Sequence, residues 1–300
     1  MFRAFLAMTF YFFAHLSLAQ SSLGSISASL GGAGRSSVDI GDSYVLNPAS
    51  VAHLRRPTIA FGTTVFKPES HSLDNFDKLV SYEGWHMSLS ENDQDAPFGS
   101  SIYLSQIRNN NPDSNFYSAH QFNDAWFNFG NFIMPRVSMG LSYHLRETQT
   151  LLKNYQEHNL SLGFLWIPLE KMGIGVSFHN LNSPSSAIPK EHTLGSTTGI
   201  GFLYLPQDYL RLRLDYSKKF HQLTSQSMSE LAFGLENSMN SWLLTRIGIA
   251  HQRTDENVSI RKITFGLGFS GPRFGIHYGF QLYQLAQRGT EHSVDFMIPF

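Results

Sequence analysis

Histidine is the residue type of this chain with the most versatile chemistry. The 300-residue sequence contains 13 His, and an imidazole can ligate a metal ion or transfer a proton near neutral pH. The spacing supports neither use, because no His-Glu-x-x-His motif occurs and the rings are spread over separate stretches of chain. We therefore expect no metal and no cofactor. Four rings are instead assigned to hydrogen bonding in a polar interior: His86, His144, His179 and His277.

Nucleophilic catalysis also lacks a sequence signature. The chain has no Cys, which removes thiol nucleophiles, disulfides and zinc–thiolate sites. No Gly-x-Ser-x-Gly motif is present, and no motif places a Ser beside a His. The sequence thus predicts a protein that is not an enzyme.

Arginine offers a different chemistry, since a guanidinium can hold a carboxylate through paired hydrogen bonds. Two uses are open: binding the anionic group of a ligand, or anchoring another part of the chain through ion pairs. We favour anchoring, because a buried charge needs a partner in either case. The candidates are Arg146, Arg211, Arg213, Asp215, Glu236 and Arg246, with Asp39, Asp42 and Asp295 as further expected partners.

The overall charge excludes one class of partner. The formal net charge is -1, so no excess of basic residues is available to neutralise phosphates, and we expect no nucleic-acid partner. Only 15% of residues are charged while 14% are aromatic, a composition that favours a folded chain over a disordered one.

The elements that must position these side chains are β-strands. Apolar residues recur at every second position, as in Val137 to Leu145 and Phe274 to Leu282, which is the period of a strand. The alternate positions are rich in Gly, Ser and His, which suits a crowded or water-filled lumen better than the solvent face of a β-sandwich. We predict about 14 strands, in keeping with the even number of bacterial single-chain barrels. Their expected spans are 58–67, 83–91, 98–107, 122–133, 136–146, 157–166, 172–180, 193–204, 209–217, 229–237, 242–251, 260–269, 273–282 and 291–300.

The chain ends within a strand pattern, SVDFMIPF. An open sheet edge would be hazardous in a soluble domain, whereas in a membrane barrel the last strand pairs with the first. We therefore predict an all-β fold, a transmembrane antiparallel β-barrel in the outer membrane of a Gram-negative bacterium, with both termini periplasmic. The outer-membrane lipid is then a partner of the last strand, whose lipid-facing residues form a membrane-insertion signal: Val294, Phe296, Ile298 and Phe300.

Connections are predicted to alternate between short periplasmic turns and long external loops. Long polar loops are expected around Thr148 to Gln156, from Asn180 to His192 and from Lys218 to Ser229. Trp85 and Trp126 are assigned to the external rim. The aromatic residues beside the short turns are expected to form a girdle at the headgroups: Trp166, Tyr204, Tyr209, Trp242 and Phe300.

The first 19 residues have the features of a secretory signal peptide. Arg3 gives a positive n-region, Ala4 to Leu18 an apolar core, and Ser17-Leu18-Ala19 a cleavage site. A spanning helix would need about 20 apolar residues, and this run is shorter. We predict that the mature chain begins after Ala19 and is exported.

The segment between the cleavage site and the first strand has no period-two pattern. Its glycines Gly31, Gly32 and Gly34 are not followed by Gly-Lys-Ser/Thr, so a phosphate-binding loop is disfavoured. Glycine here is expected to permit tight turns and a close approach to the barrel wall.

At these residues the sequence resembles the FadL superfamily of outer-membrane transporters. The resemblance implies that 20–56 is an N-terminal hatch in the lumen and 57–300 the barrel, with 1–19 removed. Later segments, such as GIGVSFHNLNSP from Gly173 and the chain from Phe265 to its end, resemble the PorV/PorQ-like branch. The hatch resemblance is carried by Leu30 to Gly34, by the acids Asp39 and Asp42, and by Asn47, Pro48 and Ala49.

The resemblance leaves two functions open. The first is passive passage of hydrophobic small molecules across the outer membrane, with the hatch controlling their exit. The second is a non-transporting scaffold that binds secreted proteins or helps attach them at the cell surface, as the PorV/PorQ-like branch does with the type IX secretion system. The superfamily as a whole favours transport, and the polar lumen favours the scaffold.

Overall fold

The structure is a computed structural model that describes residues 24–38, 42–54, 56–68, 81–92, 98–110, 119–182, 187–189, 192–221, 226–255, 258–285 and 288–300. The predicted signal peptide and Asp39 lie outside these residues. Within the described part of the chain, no helix has the length and apolar character needed to cross a bilayer.

Fourteen antiparallel strands close into one barrel, and each pairs with the strands before and after it in sequence. The first and last strands close the sheet, with Ile59 opposite Ile298 and Phe61 opposite Phe296. The sheet therefore has no open edge, as a membrane span requires. The predicted fold class is confirmed. The strands are β1 (Thr58–Pro68), β2 (Tyr82–Glu91), β3 (Gly99–Asn109), β4 (Ala119–Met134), β5 (Val137–Thr150), β6 (Asn154–Leu169), β7 (Met172–His179), β8 (Ser196–Gln207), β9 (Leu210–His221), β10 (Gln226–Ser238), β11 (Leu243–Thr254), β12 (Ser259–Ser270), β13 (Gly275–Leu285) and β14 (Gly289–Pro299).

The alternation in sequence sorts side chains between the outer face and the lumen. On β12, Phe265 and Leu267 point outward and are 50% and 56% exposed, whereas Thr264 points inward and is fully buried. Exposed apolar side chains of this kind continue around the barrel. Soluble monomers rarely expose contiguous apolar surface beyond a few hundred Å², so this belt is the surface that contacts hydrocarbon.

The end of the chain lies beside the start of the barrel. Val294, Phe296 and Ile298 are exposed on the outer face of β14. The backbone N–H of Phe300 donates to the carbonyl of Pro57 at 3.1 Å. The second half of the last strand therefore presents an apolar side outward, with Phe300 at the barrel end where β1 begins.

The connections differ from the prediction at the end of the barrel away from the termini. Residues 151–153 join β5 to β6, and 222–225 join β9 to β10, so the prediction of long loops at these two places is wrong. The predicted loop from Asn180 is present and joins β7 to β8. The strands of both hairpins continue past their predicted ends, β5 to Thr150 and β9 to His221. Polar residues such as Gln149 and Lys218 occupy outward positions there, so the apolar alternation that marks a strand in the sequence is lost.

The aromatic residues beside the short turns are exposed on the outer face, next to the end of the barrel where β1 begins and β14 ends. This position suits side chains with an apolar body and a polar tip at a headgroup layer. On the outer face nearer the opposite end, Trp85 is also exposed. The aromatic residues beside the turns are Trp166, Tyr204, Tyr209, Trp242 and Phe300.

Trp126 is not at the external rim, where the sequence analysis places it. It points into the lumen, and its ring stacks on that of His144 with 3.6 Å between centroids. The physical reason is strand parity: Trp126 shares a face of β4 with the buried Asp124 and Asn128. An aromatic ring fits either face of a barrel wall, so its neighbours at i±2 decide the side.

The residues before β1 lie inside the barrel. Residues 24–38 and 42–54, here called the N-terminal segment, form helix α1 (Ser25–Ser29), helix α2 (Ser43–Leu46) and a 3₁₀ helix (Pro48–His53). Almost all of them are buried. Helix α1 packs against β11 to β14 and the 3₁₀ helix against β3 to β6, so the segment extends from one side of the lumen to the other.

Candidate functional site in the barrel lumen

Inward-facing glycines make room for the N-terminal segment. A Cβ at Gly163 would overlap the side chain of Asn47, and one at Gly175 would overlap the carbonyl of Arg35. A larger residue at either position would push the segment away from the wall. Such glycines, all but Gly199 paired with another across adjacent strands, are Gly99, Gly130, Gly140, Gly163, Gly175, Gly199, Gly201, Gly234, Gly248, Gly266 and Gly279.

The glycines within the segment form a tight turn after α1. Gly31 and Gly32 have φ of 71° and 93°, a region that favours glycine. The N–H of Gly32 donates to the carbonyl of Ser27 at 2.8 Å, which closes the turn. At Gly34 the backbone N–H instead donates to the carboxylate of Asp215 on β9, at 3.0 Å.

Asn47 links the two halves of the segment to the wall. Its Nδ2 donates to the carbonyl of Arg35 at 2.7 Å and to that of Phe164 on β6 at 3.0 Å. Its Oδ1 accepts the N–H of Ala49 at 3.1 Å and so caps the 3₁₀ helix that Pro48 begins. Both amide hydrogens and one lone pair of the amide oxygen are used, which explains an Asn at a fully buried position.

Two carboxylates of the barrel hold backbone amides of the segment. Asp215 accepts from Gly34 and from Arg35, whose N–H is 2.9 Å and whose Nη1 is 3.2 Å from the same oxygen. Asp295 on β14 accepts from the N–H of Ser25 at 2.7 Å. The segment is thus anchored by acids of the wall, the reverse of the expected arrangement in which its own acids meet barrel arginines.

Asp42 illustrates the reversal. Its carboxylate accepts the N–H of Ser27 within the segment at 3.0 Å, and no described arginine contacts it. Burial raises the pKa of the Asp42 carboxyl to about 6, and the negative charge of Asp295 adds to this shift. His53, which bonds the hydroxyl of Ser138 at 2.9 Å, is shifted the other way: burial lowers its pKa to about 4.

The predicted arginines gather around Glu236 at the end of the lumen near the termini. Arg246 Nε and Arg211 Nη1 lie 2.6 and 2.9 Å from its carboxylate, and Arg213 Nη2 lies at 3.7 Å. Arg211 is the partly exposed member. His277 Nδ1 lies 3.2 Å from Arg246 Nη1. Glu236 thus lies within 4 Å of a guanidinium from β9 and of one from β11, and it joins the wall across β10.

A second charged group lies on β4 and β5. Asp124 accepts from Arg146 through both oxygens, at 2.7 and 2.8 Å, and from His144 Nε2 at 2.6 Å. The bidentate geometry fixes both side chains. Trp126 covers the His144 ring from one side, so the predicted residues His144 and Arg146 form part of a packed, hydrogen-bonded wall.

His179 contacts the N-terminal segment itself. Its Nε2 donates to the carbonyl of Leu46, the last residue of α2, at 2.9 Å. Of the polar residues predicted to face the lumen, His179 and Asp215 therefore touch the segment directly, whereas Arg211, Arg213 and Arg246 contact other parts of the wall.

An aromatic cluster lies on the lumen side of the strands that meet at the barrel closure. Phe66 on β1 stacks on Tyr82 of β2 with 5.0 Å between centroids, and meets Tyr283 of β13 edge-on at 5.4 Å. Both tyrosine hydroxyls donate to the buried carboxylate of Glu291. Ile107 completes the buried cluster. This part of the lumen therefore has an apolar wall, in which the tyrosine hydroxyls point to Glu291.

Sequence reasoning missed several of these residues. Arg35 lies in a Gly- and Ser-rich stretch without periodicity, so no pattern identified its partner on β9. Glu291 had a usable signal, since it shares its strand parity with Asp295, which was expected to face the lumen. Asp124 shares its parity with the polar Asn128 of the same strand. Across the described ranges, His, Asp and Glu do not gather into a group of three or more that could hold a metal ion.

These features define a class: a transmembrane β-barrel of fourteen strands whose lumen is occupied by the chain's own N-terminal segment. Solved structures share this fold. TbuX, a toluene transporter of Ralstonia pickettii, is 12% identical, with a TM-score of 0.69 over 93% of this chain and 98% of that one. TodX, the toluene transporter of Pseudomonas putida, is 12% identical, with a TM-score of 0.67 over 92% and 96%.

A FadL homologue of Pseudomonas aeruginosa is 11% identical, with a TM-score of 0.61 over 92% of this chain and 97% of that one. The likeness extends over almost the whole of each chain, and at these identities it shows the fold. No protein-family profile and no curated protein matches the sequence.

Proposed function

We propose that this protein is a FadL-like outer-membrane channel for the passive passage of hydrophobic small molecules, and that residues 24–54 act as its hatch. The observation that carries the proposal is the combination of a FadL-type barrel over almost the full chain with a lumen filled by a non-covalently held segment. TbuX and TodX, which share the fold, are described as toluene transporters.

The interior supports this function in two ways. The aromatic cluster of Phe66, Tyr82 and Tyr283 offers an apolar surface inside the lumen, which a hydrophobic solute can contact. The segment is held by hydrogen bonds to single side chains such as Asp215 and Asp295, so its displacement breaks a limited set of contacts and leaves the barrel ladder intact.

The proposal includes a cellular location. Residues 1–19 direct export, the mature chain folds into the outer membrane of a Gram-negative bacterium, and both termini face the periplasm. Three of the connections at the termini end are two residues long, at 135–136, 170–171 and 208–209, whereas that at the other end between β7 and β8 spans 180–195. Short periplasmic turns and longer external loops are the rule for such barrels.

Uptake into liposomes tests the function. Full-length mature protein would be reconstituted and challenged with toluene and with a labelled long-chain fatty acid. We expect faster entry than into empty liposomes, and still faster entry with Asp215→Asn, which loosens the hatch. Asp208→Asn, at a turn residue that is 97% exposed, is the matched control and should behave as the wild type.

Absence of uptake by folded wild-type and Asp215→Asn protein would contradict the proposal. A polar, filled lumen is compatible with both functions and does not select the PorV/PorQ-like scaffold, which is not proposed. Co-purification of a secreted protein, together with absence of uptake, would favour it.

A further inference from the structure

Four basic side chains cluster on the outer face of the barrel, at the end away from the chain termini. They are Lys218 on β9, His251 and Arg253 on β11, and Arg261 on β12, and all four are exposed. We call them the basic patch. It lies on the opposite side of the wall from the lumen residues described above.

The strand register brings these side chains together. His251 lies directly opposite Arg261, and Ser229 of β10 lies opposite both Lys218 and Arg253. Because neighbouring strands are about 4.8 Å apart, Lys218 and Arg253 begin about 10 Å apart across Ser229. The patch is therefore about as wide as a lipid headgroup.

The patch lies at the edge of the apolar belt. Leu231 of β10 and Ile249 of β11 are 51% and 47% exposed on the same outer face. Each lies two residues closer to the middle of the barrel than the patch position on its own strand, Ser229 or His251. Long basic side chains at such a boundary can extend their charged ends to the headgroup layer while their stems lie on apolar surface.

The barrel supplies little negative charge to this patch. Like charges on neighbouring strands repel, yet the described outward positions of β9 to β12 hold no Asp or Glu. Glu230 points inward and binds Lys262 at 3.4 Å. Asp255, in the adjoining turn, accepts hydrogen bonds from the N–H and hydroxyl of Ser227 at 2.6 and 2.7 Å. Among the described residues of β9 to β12 and this turn, Asp255 is therefore the one carboxylate on the same face as Lys218, His251, Arg253 and Arg261.

The opposite side of the barrel is built differently at a comparable position. There Trp85 donates to Gln106 at 3.1 Å, Gln106 to Asn123 at 3.1 Å, and Asn123 to the carboxylate of Glu147 at 2.9 Å. These outward residues of β2 to β5 satisfy one another and include an acid. On this side the exposed Arg108 of β3 lies opposite Glu83 of β2, whereas the described outward positions of β9 to β12 pair their basic residues with no acid of the strands.

We propose that the basic patch binds the phosphorylated headgroup of an anionic lipid in the outer leaflet, with its acyl chains against the apolar belt below. Guanidinium and ammonium groups are the usual partners of phosphate, and clustered Lys and Arg at a membrane surface attract anionic lipids. The spacing fits a headgroup with more than one phosphate. The inference depends on the membrane location in the proposed function and is independent of transport.

Lipid retention tests the inference. Full-length mature protein in phosphatidylcholine nanodiscs would receive a diphosphorylated, acylated disaccharide lipid, and bound copies would be counted by native mass spectrometry. The test variant combines Lys218→Gln, Arg253→Gln and Arg261→Gln. The control combines Lys67→Gln and Arg108→Gln, two exposed basic residues on the outer face of β1 and β3.

We expect the triple variant to retain this lipid at least about tenfold less well than the wild type, and the control to retain it fully. Higher ionic strength should weaken retention by the wild type. Folding is checked in each variant by circular dichroism, and uptake of toluene should not change.

Three results would overturn the inference: equal retention by the triple variant, an equal loss in the control, or complete displacement of the lipid by inorganic pyrophosphate. The last would show that the patch binds soluble anions and does not select a lipid. Absence of toluene uptake by the wild type would count against the transport proposal and leave the lipid site standing.

Discussion

Asp215 and Arg35 are joined by two hydrogen bonds in the barrel interior, since the backbone N–H and Nη1 of Arg35 both donate to the same carboxylate oxygen. Arg35 belongs to the N-terminal segment and Asp215 to β9. Both side chains are buried, and removal of one partner from a buried ion pair leaves a charge without compensation. This pair is therefore the most direct place to test how firmly the segment is held.

Replacement Asp215→Asn should loosen the segment. A broken buried pair costs about 3–5 kcal/mol, and here that cost falls on the docked state of the segment. The chain has no Cys, so Ser37→Cys, at a buried position of the segment, gives a single reporter for labelling by a maleimide. We expect labelling at least about tenfold faster in the Asp215→Asn background. The Asp208→Asn background should label slowly, and equal rates in the two would contradict the anchoring role.

A larger side chain at one of the inward-facing glycines should displace the segment by steric overlap instead of by loss of an ion pair. Gly163→Val would place methyl groups where Asn47 now lies, and overpacking of this kind costs about 1–3 kcal/mol. The Ser37→Cys reporter should again label faster. Ala125→Val adds two methyl groups on the outer face of β4, away from the segment, and should label as slowly as the parent. Slow labelling of the Ser37→Cys reporter in the Gly163→Val background would mean that the barrel wall shifts to accommodate the valine and the segment stays in place.

Glu236→Gln should destabilise the barrel itself. The substitution leaves Arg211, Arg213 and Arg246 close together without their common acid, at a cost of about 3–5 kcal/mol. The expected result is a lower midpoint of unfolding in detergent. The β-sheet signal in circular dichroism measures this midpoint. Glu170→Gln, at the exposed turn between β6 and β7, is the control. An unchanged midpoint for Glu236→Gln would show that water, rather than this acid, compensates the arginines.

The strands could be predicted because a barrel wall between lipid and lumen imposes a period of two on the sequence. On β12 the alternation of Phe265 and Leu267 with Thr264 and Gly266 is visible without coordinates. The signal fails where the constraint ends. Beyond the apolar belt β5 continues to Thr150 through residues that meet no lipid, so its end was placed too early.

The candidate site was harder to predict. Glu236 and its arginines followed from parity alone, because charge is costly on the lipid face. Parity does not identify partners, however, and Asp215 pairs with Arg35 of the segment, not with another barrel residue. Contacts between a strand and a non-repetitive segment about 180 residues away leave no local pattern.

The last prediction concerns pH and the carboxyl of Asp42. Its pKa is 3.8 in the unfolded chain and about 6 in the folded protein, so the folded state binds this proton more tightly. Its contribution to stability is therefore full below pH 3.8 and is lost as pH rises to about 6, by up to about 3 kcal/mol. Burial of the uncharged form is favoured, and ionisation next to Asp295 opposes docking of the segment.

His53 acts in the opposite direction over nearly the same range. Its pKa falls from 6.5 to about 4 on folding, so the neutral ring is favoured and stability increases as pH rises between these values. The wild-type profile combines both effects, and only its difference from Asp42→Asn isolates the carboxyl. We expect Asp42→Asn to gain unfolding free energy relative to the wild type as pH rises from about 4, with the gain levelling off above about 6.

Denaturant midpoints measured in detergent between about pH 4 and about pH 6 report this gain. The control Asp208→Asn should differ from the wild type in unfolding free energy by the same amount at every pH in this range. A constant difference for Asp42→Asn would mean that the carboxyl stays ionised in the lumen. In that case water must reach α2 through the barrel, and the segment would not close the lumen as tightly as its buried surface indicates.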